Sequence, residues 1–294
     1  MIWSDQGRGP RPVRTLFLSD LHLGCRHTQA EAALGLMQSI SPERVYLVGD
    51  FLDGWRLKRR WLWPPSYNAI VKQLMDWAED GVRLFYTPGN HDGFLRQAGA
   101  SLDPFLRSGL LCVRDEFLCE LADGRQFSVL HGDQFDPIER NVQWLSVLSS
   151  FGYDQILSLN WWISRGLPAV DRSPYWLCAG FKDFVKRSIY FMQKFEDRVL
   201  DHARSQGLDG VVCGHLHTPR IVLRDGLTYC NVGDWIENCA AVIETPSGQL
   251  EQIRYFEVLA NSNRETARSP ESKPVPLATS SRTGSGRSRM GVGV

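Results

Sequence analysis

Apolar residues recur along this chain with two periods. Residues 14–19 (R-T-L-F-L-S) and 44–49 (R-V-Y-L-V-G) read as short buried strands, and 82–87 as a third that stops at Pro88-Gly89. Between them, residues 28–40 carry Ala32, Leu36 and Met37 at helical spacing, and 66–80 form a second amphipathic stretch. Strands alternating with helices at this pitch predict an α/β fold with a largely parallel sheet covered on both faces. Residues 126–130 and 210–213 add core strands. The pattern then turns antiparallel: 221–223 and 227–230 flank Asp225-Gly226, and 240–244 and 250–258 flank Pro246-Ser247-Gly248, both hairpin signals.

Two stretches depart from this alternation. From about 134 to 206 the apolar spacing is helical, broken by Gly166, Pro168 and Pro174, and Trp144, Trp161, Trp162 and Trp176 fall within it. This is more chain than a simple crossover needs, so a helical insertion is expected. From 259 onward Ser, Arg, Pro, Gly and Thr dominate, with six basic residues against two acidic ones, and a disordered basic tail is expected over 259–294. Residues 1–13 are expected to be a flexible lead-in, leaving one domain over 14–258.

Composition narrows the function. The 33 basic and 33 acidic residues cancel, which argues against a broad nucleic-acid-coating surface and a stable nucleic-acid partner. No apolar run reaches the length of a membrane span, and residues 1–14 hold three arginines without the apolar stretch of a signal peptide. The 7 cysteines form no C-x-x-C pair, so free thiols and a cytoplasmic location are expected.

The histidines carry the chemistry. Five of the 7 lie in short polar runs just after predicted strands: Asp20-Leu21-His22, Gly49-Asp50, Gly89-Asn90-His91-Asp92, His131-Gly132-Asp133 and Gly214-His215-Leu216-His217. In an open α/β sheet the loops at the carboxyl ends of the strands converge on one crevice. Residues two apart in extended chain face one way, so Asp20 with His22, and His215 with His217, can each converge on a point. Mixed imidazole and carboxylate donors suit Mn²⁺, Fe or Zn²⁺ better than Mg²⁺ or Ca²⁺. Seven donors exceed the needs of one ion, and two ions sharing a carboxylate would use them economically. His27 and His202 read as ordinary surface or core residues.

This motif series resembles that of the calcineurin-like metallophosphoesterase superfamily, over about residues 15–244. The resemblance implies a four-layer α/β/β/α sandwich with two metal ions at its rim. One ion would take Asp20, His22, Asp50 and His217, the other Asp50, Asn90, His131 and His215, with Asp50 as the bridge. A water acidified between the ions would attack phosphorus in line. His91 would protonate the leaving oxygen and Asp92 would hold its ring. Asp53, Asp133 and Asn231 are expected to support or cap rather than bind metal.

A narrower resemblance is to the UDP-2,3-diacylglucosamine diphosphatase group of lipid A hydrolases. It rests on the run 49–65 (G-D-F-L-D-G-W-R-L-K-R-R-W-L-W-P-P), the helical insertion and the terminal N-V-G-D-W. It implies a lipid-linked nucleotide diphosphate as substrate, acyl chains beside the helical cap, and peripheral contact with the cytoplasmic membrane face. Arg56, Lys58, Arg59 and Arg60 would then bind a second phosphate or headgroup, with Trp55, Trp61 and Trp63 at the membrane interface. The plain alternative is a solvated basic loop. One position departs: the lipid A enzyme proper has arginine where this chain has His91. A soluble phosphodiester or phosphomonoester therefore stands as the alternative substrate, and a scaffold without catalysis as a third reading.

Overall fold

Eleven strands of the described residues form two sheets whose inner faces share one apolar layer. The computed structural model describes residues 9–97, 111–136 and 176–260, with the backbone course alone at 97 and 176–188. The expectations for residues 1–8, for most of the helical insertion and for the tail from 261 lie outside the described residues.

The first sheet is built from β1 (Arg11–Leu18), β2 (Ile40–Val48), β3 (Arg83–Thr87), β4 (Leu111–Val113), β10 (Ala240–Glu244) and β11 (Leu250–Arg254), in the order β11-β10-β1-β2-β3-β4. Strands β1 to β4 run parallel and the β10-β11 hairpin joins antiparallel. The second sheet orders β5 (Glu116–Glu120), β6 (Gln126–Leu130), β7 (Gly210–Cys213), β9 (Leu227–Asn231) and β8 (Arg220–Arg224), with β6, β7 and β9 parallel.

The period-two alternation of the strands divides their side chains between separate cores. Leu16, Leu18, Val45, Leu47, Leu84 and Ile243 face helices α1 (Ala30–Ser39) and α3 (Pro65–Glu79). Phe17, Tyr46, Val48, Phe127, Val129 and Val212 fill the space between the sheets. Leu130, Val211, Cys213 and Tyr229 meet Phe195, Val199 and Ala203 of the long helix Trp176–Ser205, labelled α5. The layers are thus helix, sheet, sheet, helix, as the family resemblance implied, and the single two-faced sheet read from periodicity alone is split in two. Both faces of the central strands are buried, so these strands read as continuous apolar runs.

The boundaries differ from expectation in instructive places. β1 begins at Arg11, because residues 11–13 pair with residues 40–42 of β2. β2 starts directly after α1 and contains Pro42, which a pattern reading takes for a loop. Pro42 is tolerated because β3 pairs with β2 only from Arg44 onward. The last hairpin strand ends at Arg254, and residues 255–260 are helical rather than strand. The basic stretch after Asp50 is also helical: α2 spans Gly54–Arg59. Its N-cap is Asp53, whose Oδ1 accepts from the Arg56 N–H at 3.0 Å, while Arg56, Lys58 and Arg59 complement its C-terminal end.

Between the sheets lies a buried ion pair far from these loops. Glu244, with no exposed surface, accepts from Arg44 at 3.0 Å, from the Ala122 N–H at 2.8 Å and from the Thr15 hydroxyl. Arg44 also donates to Thr15 Oγ1 at 2.6 Å and to the Glu120 carbonyl at 2.7 Å. Glu244 also meets Arg14 at 3.4 Å, and removing Glu244 would leave the buried Arg44 guanidinium without its carboxylate. Glu244→Ala is therefore expected to cost about 3–5 kcal/mol of stability. Urea unfolding measures it, and a loss below about 1 kcal/mol would show that the sandwich does not depend on this pair.

Candidate metal centre

The ligand-bearing loops leave the carboxyl ends of β1, β2, β3, β6 and β7, so the topology brings all five motifs to one rim. Holding them there requires unusual backbone. Among the described residues, seven non-glycine positions have positive φ, and five of these are Asp20, His22, Asp50, His215 and His217. Left-handed backbone is costly for residues with a side chain, and its concentration on the expected ligands marks a site whose geometry is imposed by the fold. Two glycines allow the close approach. A Cβ on Gly214 would stand 2.5 Å from Asp20 Oδ2, and one on Gly89 would stand 2.7 Å from the His131 ring and collide with Asp50.

Two groups of donor atoms result. In the first, His217 Nε2 lies 3.0 Å from Asp20 Oδ1, His22 Nε2 lies 3.7 Å from the same oxygen, and the two imidazole nitrogens are 3.4 Å apart. In the second, His131 Nε2 is 3.5 Å from Asp50 Oδ2 and 3.2 Å from Asn90 Oδ1. Asp50 Oδ2 is also 3.8 Å from His22 Nε2, which puts this carboxylate between the groups. An ion bound at about 2.0–2.2 Å separates its ligands by roughly 3–3.5 Å, so these spacings fit a metal. Asp20, Asp50 and His131 are buried almost completely.

The tautomers point the same way. His131 Nδ1 donates to the Val48 carbonyl at 3.0 Å, which leaves Nε2 as the donor atom for an ion. His215 Nε2 donates to Asp136 Oδ2 at 2.9 Å, its backbone N–H donates to Asp20 Oδ2 at 3.1 Å, and Nδ1 is the ring nitrogen left for a metal. Electrostatics agree. Burial would raise the Asp20 carboxyl, but His217 and His22 beside it hold its pKa well below the usual range. Burial is likewise outweighed at Asp50, which His131, His22 and His91 keep low. The imidazoles respond in kind: against burial, Asp50 holds His131 well above a free imidazole, and Asp20 raises His217 to about 9. Both carboxylates call for positive charge in a dry cleft, which divalent cations would supply.

His91 borders this cluster, with a ring nitrogen within 4.8 Å of donor atoms of both His22 and Asp50 and its ring 4.6 Å from that of His22 and edge-on to it. The carboxylate that holds it is Asp53, 3.2 Å from Nδ1, and not Asp92 as the motif suggested. Asp92 instead ties the loop together. It accepts from the Gly89 N–H at 2.6 Å, from the Leu52 N–H at 3.2 Å and from the Tyr86 hydroxyl. Burial and the neighbouring Asp50 push its pKa up. Asp53 was expected to support or cap, and it caps α2 as well as meeting His91.

Other side chains tie the loops together, some of them, such as Arg96, with no sequence signal. Arg96 joins two ligand loops, donating to the Pro88 carbonyl at 2.6 Å and to both oxygens of Asp133 at 3.0 and 3.1 Å. Asn231 donates to the Gly214 carbonyl at 2.7 Å, so its supporting role agrees with expectation. Asp234 of the N-V-G-D-W run accepts from Asn238, which in turn donates to the His217 carbonyl at 2.8 Å. Arg56, Lys58, Arg59 and Arg60 line the exposed side of α2, with Arg56 paired to Asp53 at 3.0 Å. His202 binds Glu116 at 2.9 Å, an ordinary surface pair as expected.

The chain is thus a two-sheet sandwich flanked by helices, with an imidazole–carboxylate cluster on its rim. The calcineurin-like phosphoesterase family model matches residues 13–219, and the chain belongs to that family. It is a hydrolytic enzyme acting on phosphoester bonds with divalent metal. Its relatives include a UDP-2,3-diacylglucosamine hydrolase of Shewanella halifaxensis, 24% identical over 82% of this chain and 98% of the relative. A UDP-2,3-diacylglucosamine hydrolase of Cellvibrio japonicus is 27% identical over 70% of this chain and 83% of its own length. Among solved structures, a phosphoesterase from E. coli matches 82% of this chain and 98% of its own, at 15% identity and a TM-score of 0.39.

Proposed function

We propose that this chain hydrolyses a nucleotide-linked, acylated sugar diphosphate with two divalent ions, Mn²⁺ foremost. The observation that carries the hydrolytic reading is the placement of Asp50 Oδ2 within 3.8 Å of donors from both groups, His22 and His131. Asp20, His22, Asp50 and His217 would hold one ion, and Asp50, Asn90, His131 and His215 the other. When bound, the ions supply positive charge for the phosphate and acidify water. The remaining work belongs to side chains. His91 Nδ1 is engaged by Asp53, so Nε2 is the nitrogen that gives a proton to the leaving oxygen.

The substrate class draws support from two sides. The two relatives named above, matched over most of their length, are both called UDP-2,3-diacylglucosamine hydrolase. The basic side chains of α2, beginning three residues past Asp53, offer a second phosphate a partner beside the centre. Because the departure at His91 leaves a soluble ester as the rival substrate, the test is a hydrolysis panel with added Mn²⁺. UDP-2,3-diacylglucosamine should turn over at least about tenfold faster, by kcat/KM, than simple phosphodiesters and monoesters. A soluble diester cleaved while the lipid nucleotide stays intact would overturn the substrate reading and leave the hydrolase class standing.

A further inference from the structure

We propose that Trp55 is a positioning residue for His91. The inference rests on the reading of His91 as the proton donor to the leaving oxygen. Helix α2 holds His91 at three points. The Gly54 N–H donates to the His91 carbonyl at 3.2 Å, Asp53 meets Nδ1 at 3.2 Å, and the Trp55 indole covers the face of the ring. The two ring centroids are 4.1 Å apart and the planes 30° from parallel, an offset stack.

These contacts have different jobs. The Asp53 hydrogen bond fixes which edge of the imidazole turns toward α2 and leaves the swing of the ring plane about that bond to the groups packed on its faces. The indole blocks the swing from one side, and His22, edge-on at 4.6 Å, meets the ring from within the metal cluster. The ring is thereby held between the indole, the Asp53 carboxylate and His22. Trp55 is 42% exposed, so the core makes little use of this large apolar ring. Gly54 allows the seat to form, because a Cβ there would stand 2.7 Å from the His91 carbonyl oxygen.

Aim matters only while a proton moves. As the bond between phosphorus and the leaving oxygen breaks, the oxygen keeps the electron pair and takes the proton from His91 Nε2. The neutral imidazole is then reprotonated by solvent. A leaving group that is stable as an anion has little need of that proton, and a poor one has great need of it.

The experiment therefore compares methyl p-nitrophenyl phosphate with methyl phenyl phosphate on the Mn²⁺-loaded enzyme. Trp55→Ala is expected to lower kcat on the phenyl ester by about 10–100-fold, the size of effect that misplacing a reacting group by an ångström produces. The nitrophenyl ester should change by less than about threefold, with KM and metal content unaltered. Trp55→Phe, which keeps an aromatic face, should restore most of the loss. In a His91→Ala background, Trp55→Ala should cost nothing further. Equal losses on both esters, or losses that add to those of His91→Ala, would overturn the inference. If His91→Ala itself slows both esters alike, the reading of His91 falls and the inference with it. If His91→Ala discriminates between the esters and Trp55→Ala does not, the inference alone falls.

Discussion

Asp50→Asn is expected to lower phosphoester hydrolysis by at least about 10³-fold and to reduce bound metal from two equivalents to less than one. The amide keeps an oxygen for the His91 N–H, which Asp50 Oδ1 now accepts at 2.8 Å, so the loop retains its hydrogen bond. What disappears is the negative charge between the two donor groups. His131 at 3.5 Å and His22 at 3.8 Å would then face a neutral oxygen, and neither group would keep enough charge to hold a divalent ion tightly. Elemental analysis after gel filtration reads the metal, and the far-ultraviolet circular dichroism of the same sample separates this effect from unfolding. Two ions retained in a slowed enzyme would show that Asp50 is not the bridge.

The second large effect concerns the proton. His91→Ala is expected to reduce turnover by about 10²–10⁴-fold while leaving the metal content of the enzyme unchanged. The ring is placed for this role by Asp53 on one edge and Trp55 on one face, and its backbone N–H is already committed to Asp50. Removing the ring opens a gap at the side of the cleft and leaves the seven expected ligands in place, although His91 also lies within 4.8 Å of the His22 and Asp50 donors. The loss should be steepest on substrates with poor leaving groups. Unchanged turnover would mean that solvent protonates the leaving oxygen, and a fall in metal content would mean that His91 acts as a ligand.

Much of this centre was legible in the chain because its parts are local. Each motif sits directly after a buried strand, and a strand's end is the most readable point of an α/β sequence. Asp20, His22, Asp50, Asn90, His131, His215 and His217 could therefore be named before any coordinates, and the structure brings them to one rim. The partner of His91 was not legible in the same way. Asp92 is its neighbour in sequence, but the turn at Gly89 folds the Asp92 carboxylate back onto Gly89, Leu52 and Tyr86. Asp53 reaches the ring because α2 begins there, and that helix was hidden in a run of arginines and tryptophans with no apolar period. Short β4 and β5 and Pro42 within β2 escaped notice for a related reason: pairing across the sheet decided them, against weak local preference. Arg96 shows the limit most plainly, since nothing within its own segment announces that it will reach Asp133 on another loop.

Whether two cations share the Asp50 carboxylate at this rim can be read by anomalous diffraction from crystals of the Mn²⁺-loaded protein. Two peaks about 3.5–4 Å apart are expected, one touching Asp20, His22 and His217, the other touching Asn90, His131 and His215, with Asp50 reaching both. A single peak, or two peaks with Asp50 bound to only one of them, would contradict that arrangement.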